Sequence, residues 1–96
     1  MNHLLPESFG AWRLEFDPYG ISRDPEWLAH ADLTEDILQL RNANHLDLVL
    51  DVGYYHDRYR VFVVENSDWD HPVDAFESTS ASATIEWVYS AISRYA

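Results

Sequence analysis

The chain has 96 residues, so one modest core must stabilise the fold. It has no cysteine, which excludes disulfides, thiolate metal sites and thiol nucleophiles. Seventeen acidic residues oppose six basic ones, and the formal net charge of -11 disfavours nucleic acid and anionic membranes as partners. The first residues lack a signal-peptide pattern, and no segment approaches the roughly 20 apolar residues of a membrane-spanning helix. We therefore expect a single cytoplasmic domain over residues 1–96.

The first predicted strand covers residues 11–17. Trp12, Leu14 and Phe16 alternate there with charged residues, the pattern of a strand with one face against the core and the other in water. We expect these three side chains to lie together on the core face.

A short helix is predicted after this strand. Asp24 suits the N-cap position and Pro25 the first helical position, and the glutamate that follows is favoured by the helix dipole. The helix should then run through residues 27–31.

Residues 33–44 fit two alternatives. Their apolar residues form a helical stripe, but Leu38 and Leu40 also alternate with polar neighbours as in a strand. We favour a strand over residues 36–41, because the Asn-Ala-Asn sequence at 42–44 tolerates left-handed conformations and would turn the chain back onto the next strand.

Residues 46–66, LDLVLDVGYYHDRYRVFVVEN, form the clearest hairpin of the chain. In the first arm the even-numbered apolar residues from 46 to 52 share the core face, while Val49 and Asp51 belong to a partly wet face. The second arm, residues 60–66, is apolar on both faces, which predicts a strand with a neighbour on each side at the centre of the sheet.

An ordered loop is predicted over residues 67–82, pinned to the body by Trp69, Val73 and Phe76. The C-terminal helix then carries one apolar stripe, made of Ile85, Val88, Ala91, Ile92 and Tyr95. The predicted fold is α+β, with an about four-stranded, mostly antiparallel sheet, the C-terminal helix packed on one face and the short helix after the first strand.

No catalytic, cofactor or metal signature is present in the sequence. The five histidines lack ligand spacing, and the aspartates at 68, 70 and 74 lack the glycine of a calcium loop. There is no GxSxG motif and no glycine-rich phosphate loop, and with seventeen acidic residues a carboxylate pair is expected by chance. We therefore expect no enzyme, no cofactor and no metal site.

Two acidic and aromatic segments remain, residues 54–59 at the hairpin tip and residues 67–71 after the hairpin. Tyrosine and tryptophan supply binding energy in protein interfaces, and carboxylates attract basic partners. The alternative is that the aromatic side chains complete the core while the aspartates keep the protein soluble.

Residues 50–78, LDVGYYHDRYRVFVVENSDWDHPVDAFES, followed by an amphipathic helix, resemble the small acidic immunity proteins of bacterial polymorphic toxin and contact-dependent growth inhibition systems. The likeness lies in the order of elements, the acidic and aromatic loop, and the size. It implies a toxin inhibitor that binds a cognate, basic, nuclease-type toxin domain and blocks its active site or substrate groove. The contacts it implies are Asp51, Tyr55, Asp57, Asp68, Trp69 and Asp70.

Other functions stay open at this stage. The acidic surface also suits a DNA mimic that acts on a different basic protein. A small ligand-binding or enzymatic domain would use His56 or His71 as a base beside an aspartate. A homodimerising accessory protein would pair through an exposed sheet face or edge, and the oligomeric state itself is open.

Overall fold

The computed structural model describes residues 12–21, 26–30, 36–42 and 47–95. They form an α+β fold in which one antiparallel sheet has its five strands in chain order and a single helix follows. The elements are β1 (Trp12–Phe16), β2 (Leu38–Asn42), β3 (Leu48–Tyr55), β4 (Arg58–Val64), β5 (Asp74–Ser78) and α1 (Ala81–Arg94). The α+β class and the C-terminal helix are confirmed, while the predicted number of four strands is wrong.

The predicted short helix after β1 is replaced in the described residues by a four-residue 3-10 turn, Trp27–His30. Trp27 and Leu28 are both fully buried. A 3-10 turn is typical of such short connecting segments, because its hydrogen-bond geometry does not favour longer runs. The predicted N-cap at 24–25 lies outside the described residues.

Strand β1 is an edge strand, and its predicted core face holds for Trp12 and Leu14 but is wrong for Phe16. A bulge between Leu14 and Phe16 places Phe16 opposite Gln39, on the sheet face away from the helix. Leu14 and Phe16 are 41% and 45% exposed. Because a bulge adds one residue to a strand, the side chains after it change face, which a simple alternation of apolar residues does not reveal.

The favoured strand over residues 36–41 is confirmed as β2, paired antiparallel with β3. The predicted turn at residues 43–44 lies outside the described residues. The predicted hairpin is confirmed as β3 and β4, whose last pair is Tyr55 with Arg58. β4 has a neighbour on each side, as expected, although the middle strand of the sheet is β3.

The sheet face away from α1 is here called the second face. At β3 the side chains of this face are less exposed to solvent than predicted. Val49 is 2% exposed and Asp51 is 9% exposed. Asp51 lies between Gln39 on β2 and Phe62 on β4. Long side chains on neighbouring strands can cover a short side chain between them, which reduces the solvent exposure of a central strand.

Strand β5 lies within the segment predicted as a loop. It pairs antiparallel with β4 and forms the second edge of the sheet. The sequence DAFES contains one large apolar residue, Phe76, so its alternation is too weak to indicate a strand by itself. Its extended conformation is stabilised by backbone pairing with β4 and by the contact of Phe76 with Trp87 on α1.

Helix α1 packs across the sheet face opposite the second face. The side chain of Ser80 accepts a hydrogen bond from the N–H of Ala83 and caps the N-terminus. At the other end, Trp12 Nε1 donates to the carbonyl of Ile92 at 3.1 Å, and Asn42 Nδ2 donates to the carbonyl of Tyr95 at 2.7 Å. The first two strands therefore satisfy carbonyl groups that a helix C-terminus leaves without partners.

The core lies between α1 and the sheet. Its buried side chains come from four strands, the 3-10 turn and the helix. Among residues 12–21, 26–30, 36–42 and 47–95, no helix is long and apolar enough to span a bilayer.

Candidate functional site

The structure places the six predicted contact residues at three separate positions. Tyr55 and Asp57 lie at the β3–β4 hairpin tip, Asp51 lies on the second face, and residues 68–70 follow the far end of β4. β4 has seven residues. A strand rises about 3.3 Å per residue, so the tip and the far end are about 20 Å apart. The two acidic segments therefore do not form one cluster.

The segment of residues 66–71, here called the acidic loop, is folded by its own hydrogen bonds. The N–H of Asp68 donates to the carbonyl of Glu65 at 3.1 Å, and the N–H of His71 donates to the carbonyl of Asp68 at 3.2 Å. Asn66 and Ser67 have φ angles of 54° and 60°. Two consecutive left-handed residues turn the chain sharply after β4 and project the following side chains away from the sheet.

Trp69 lies at the middle of the acidic loop with 49% of its surface exposed. Of the three residues predicted to pin this segment to the body, Phe76 packs against the core, whereas the prediction is wrong for Trp69 and for Val73, which is 47% exposed. Asp68 and Asp70 flank the indole ring in sequence and are both exposed. The loop thus presents a large apolar ring between two carboxylates.

The aromatic residues at the hairpin tip behave differently. Tyr54 and Tyr59 pack against the core and contact each other edge to face, with ring centroids 5.1 Å apart. The alternative considered from the sequence, that aromatic residues complete the core, holds for these two tyrosines. Tyr55 is half-buried and Asp57 is fully on the surface.

Within the described ranges, the carboxylates of the acidic loop are not paired with arginine. Four of the five arginines within the described ranges contact carboxylates elsewhere: Arg41 with Glu15 and Asp47, Arg58 and Arg60 with Glu77, and Arg94 with Asp74. In that part of the chain no arginine contacts Asp57, Asp68 or Asp70. The carboxylates of Asp57, Asp68 and Asp70 therefore keep their negative charge without an arginine contact in the described ranges.

A cavity of about 300 Å³ opens on the second face, lined by Phe16, Asp36, Gln39 and Asp51. Burial, and secondarily the charge of Asp36, raises the pKa of Asp51 to about 6. Of these four residues, only Asp51 is among the contact residues predicted from the sequence. The β1 bulge brings Phe16 to this face, and no local pattern in the sequence signals that bulge.

Two further arrangements bear on acid–base and metal chemistry. His71 Nδ1 lies 3.2 Å from Asp68 Oδ1, but both side chains are exposed on the acidic loop and neither lines the cavity. A histidine base needs a substrate held beside it, and this pair has no enclosing walls. Among the described residues, no group of three or more histidine, aspartate or glutamate side chains could hold a metal ion.

Comparison with known proteins adds no relative. No protein-family model, no curated protein and no solved structure matches the chain.

Proposed function

We propose that this protein is an immunity protein that neutralises a basic toxin domain, and that the acidic loop is the centre of the surface that binds it. The observation that carries the proposal is the half-exposed Trp69, flanked in sequence by Asp68 and Asp70, whose exposed carboxylates no arginine of the described residues contacts. Tryptophan is enriched among the residues that dominate binding energy.

The order of the acidic loop supports this role. Its backbone hydrogen bonds and the contact of His71 with Asp68 hold the loop in one conformation before any partner arrives. Binding by a preformed loop avoids the entropy cost of ordering it on association. The indole ring is therefore available as a rigid anchor.

The distribution of charge supports a basic partner. The carboxylates of the acidic loop have no arginine contact in the described ranges, whereas those near β1, β2 and β5 do. Unpaired exposed carboxylates attract a basic protein from a distance and accelerate association. A nuclease domain, whose substrate groove binds phosphates, is a basic partner of this kind.

The test is co-expression with the C-terminal domain of the large protein encoded immediately upstream. Growth rescue and co-purification of a complex are the expected results. In the purified complex, Trp69→Ala should weaken binding about 30-fold or more, since truncation of an interface tryptophan costs about 2 kcal/mol or more. Asp68→Asn combined with Asp70→Asn should slow association.

Matched controls separate the acidic loop from the rest of the surface. Leu14→Ala removes an exposed apolar side chain from β1 at the opposite edge of the sheet, and Glu86→Gln removes a charge from the exposed side of α1. Both variants should bind as the unmodified protein does. If the upstream domain is not toxic, or if Trp69→Ala rescues growth as well as Leu14→Ala, the proposal is wrong.

A further inference from the structure

The cavity on the second face is lined by a buried acid, Asp51, that has no hydrogen-bond or ion-pair partner among the described residues. Asp51 is 9% exposed and lines the cavity. Within the described ranges no donor is hydrogen-bonded to its carboxylate, and the charged group that acts on it is another acid, Asp36. Burying a carboxylate without a hydrogen bond or counter-ion is costly, so buried acids ordinarily have one.

Two basic residues of the described ranges lie one row from Asp51 on the second face, and neither fills this role. Arg41, opposite Val49, contacts Glu15 and Asp47. Arg60 lies one row along the second face, opposite Gly53, but its Nε is 3.4 Å from Glu77 Oε2. The guanidinium is therefore directed toward β5 and away from Asp51. Among the described residues, no basic side chain therefore acts as the counter-ion of Asp51.

The lining determines which ligand fits. The carboxylate of Asp51 selects a positive charge, and the partly exposed ring of Phe16 can lie against a delocalised cation. The amide oxygen of Gln39 can accept a further hydrogen bond. A volume of about 300 Å³ is at the lower end of ligand pockets, which suits a charged head group on a short alkyl chain.

We propose that this cavity binds one alkylguanidinium or alkylammonium group, with the Asp51 carboxylate as its counter-ion and Phe16 at its rim. A divalent metal ion fits less well, since calcium requires six to eight oxygen ligands and the described residues offer two carboxylates and one amide. The site does not depend on the acidic loop or on the identity of the toxin.

The raised pKa of Asp51 provides the measurement. A cation within hydrogen-bond distance favours the carboxylate over the acid and lowers its pKa by about one unit or more. The test records the carboxyl ¹³C resonance of Asp51 against pH in the full chain, with and without methylguanidinium chloride. The expected result at saturation is a titration midpoint lower by at least about one pH unit.

Three comparisons make this result specific. Methylurea has the same planar shape without the charge and should leave the midpoint unchanged. Asp51→Asn should weaken methylguanidinium binding at least about tenfold, as the loss of an ion pair predicts, whereas Asp57→Asn at the exposed hairpin tip should not. An equal response to methylurea, retained binding in Asp51→Asn, or a response to calcium chloride alone would overturn the proposal.

The source of the cation is distinguished by two further probes that carry the same guanidinium group. Agmatine represents a free small molecule, and the blocked peptide acetyl-Gly-Arg-Gly-amide represents an arginine side chain of a protein. Tighter binding of agmatine assigns the cavity to a free amine or guanidine. Equal or tighter binding of the peptide assigns it to a basic side chain of a partner. Binding of neither probe contradicts the proposal.

Discussion

At the scale of single residues, Asp51 makes the free energy of unfolding decrease as pH rises. Most acidic residues have the opposite effect. Its pKa is raised to about 6 from an ordinary value of 3.8, chiefly by burial. Between these values the folded protein holds the proton more tightly than the unfolded chain does. The contribution of Asp51 to the free energy of unfolding therefore decreases as pH rises from about 4 to above 6.

We expect Asp51→Asn to stabilise the protein at about pH 7.5 by on the order of 2 kcal/mol, because the amide has no charge to desolvate. At about pH 4 both variants are uncharged at this position and the difference should largely vanish. Urea denaturation of both proteins at the two pH values measures it. Asp70→Asn, a change at an exposed aspartate, serves as the control. A destabilised Asp51→Asn at neutral pH would mean that the carboxylate has a favourable partner.

Asn42 is the second residue whose role the structure defines. Its side chain is fully buried and donates to the carbonyl of Tyr95 at the end of α1. Asn42→Asp keeps the volume but replaces the donor with a buried acceptor, so we expect a loss of about 3 kcal/mol or more. Asn42→Ala removes the donor without adding a charge and should cost about 1 to 2 kcal/mol. Equal denaturation midpoints for Asn42→Asp and the unmodified protein would contradict this role.

At the scale of elements, the β3–β4 hairpin tip carries conformational strain. The two loop residues between Tyr55 and Arg58 are His56 and Asp57, with φ angles of 52° and 64°. Positive φ at both positions is typical of a type I′ turn, where asparagine and glycine are preferred. The geometry of the hairpin is therefore imposed by the strands on residues that do not favour it.

We expect His56→Asn combined with Asp57→Gly to raise the free energy of unfolding by about 1 kcal/mol, because glycine adopts the left-handed region without a Cβ clash. Thermal and urea unfolding measure the change. His56→Asn combined with Asp57→Ala keeps the Cβ atom and should give no such gain. The first double variant should also bind the toxin domain nearly normally if the acidic loop is the main contact.

At the scale of the whole molecule, the net charge of -11 acts on folding and on binding in opposite ways. Like charges on one small domain repel one another and destabilise the compact state. The same charges attract a basic partner and accelerate its association. Salt screens both effects. It should therefore stabilise the folded protein while slowing association with the partner, so the two effects can be told apart.

We expect that raising NaCl from about 0.05 M to about 0.5 M increases the free energy of unfolding by about 1 kcal/mol. Over the same range the association rate with the toxin domain should fall about tenfold or more, with a smaller change in dissociation rate. Denaturation curves and stopped-flow association measure the two quantities. A complex whose association rate is independent of salt would exclude electrostatic steering by the acidic loop.

The sequence by itself determined the features that depend on neighbouring residues. The alternation in residues 46–66 indicated the β3–β4 hairpin, and the 3.6-residue period near the C-terminus indicated α1. The acidic and aromatic composition of residues 67–71 indicated a surface segment, and Trp69 is indeed half-exposed. These features follow from side-chain periodicity and turn chemistry, which act over a few residues.

Tertiary structure decided the features that depend on distant residues. β5 forms because the backbone of β4 provides its hydrogen-bond partners. Phe16 changes face because of a bulge in the pairing of β1 with β2. Asp51 is buried on a central strand that has a neighbour on each side. The hairpin tip and the acidic loop are separated because β4 lies fully extended between them. Strand pairing brings together residues far apart in the chain, so a local pattern cannot reveal which side chains it buries or which cavity it closes.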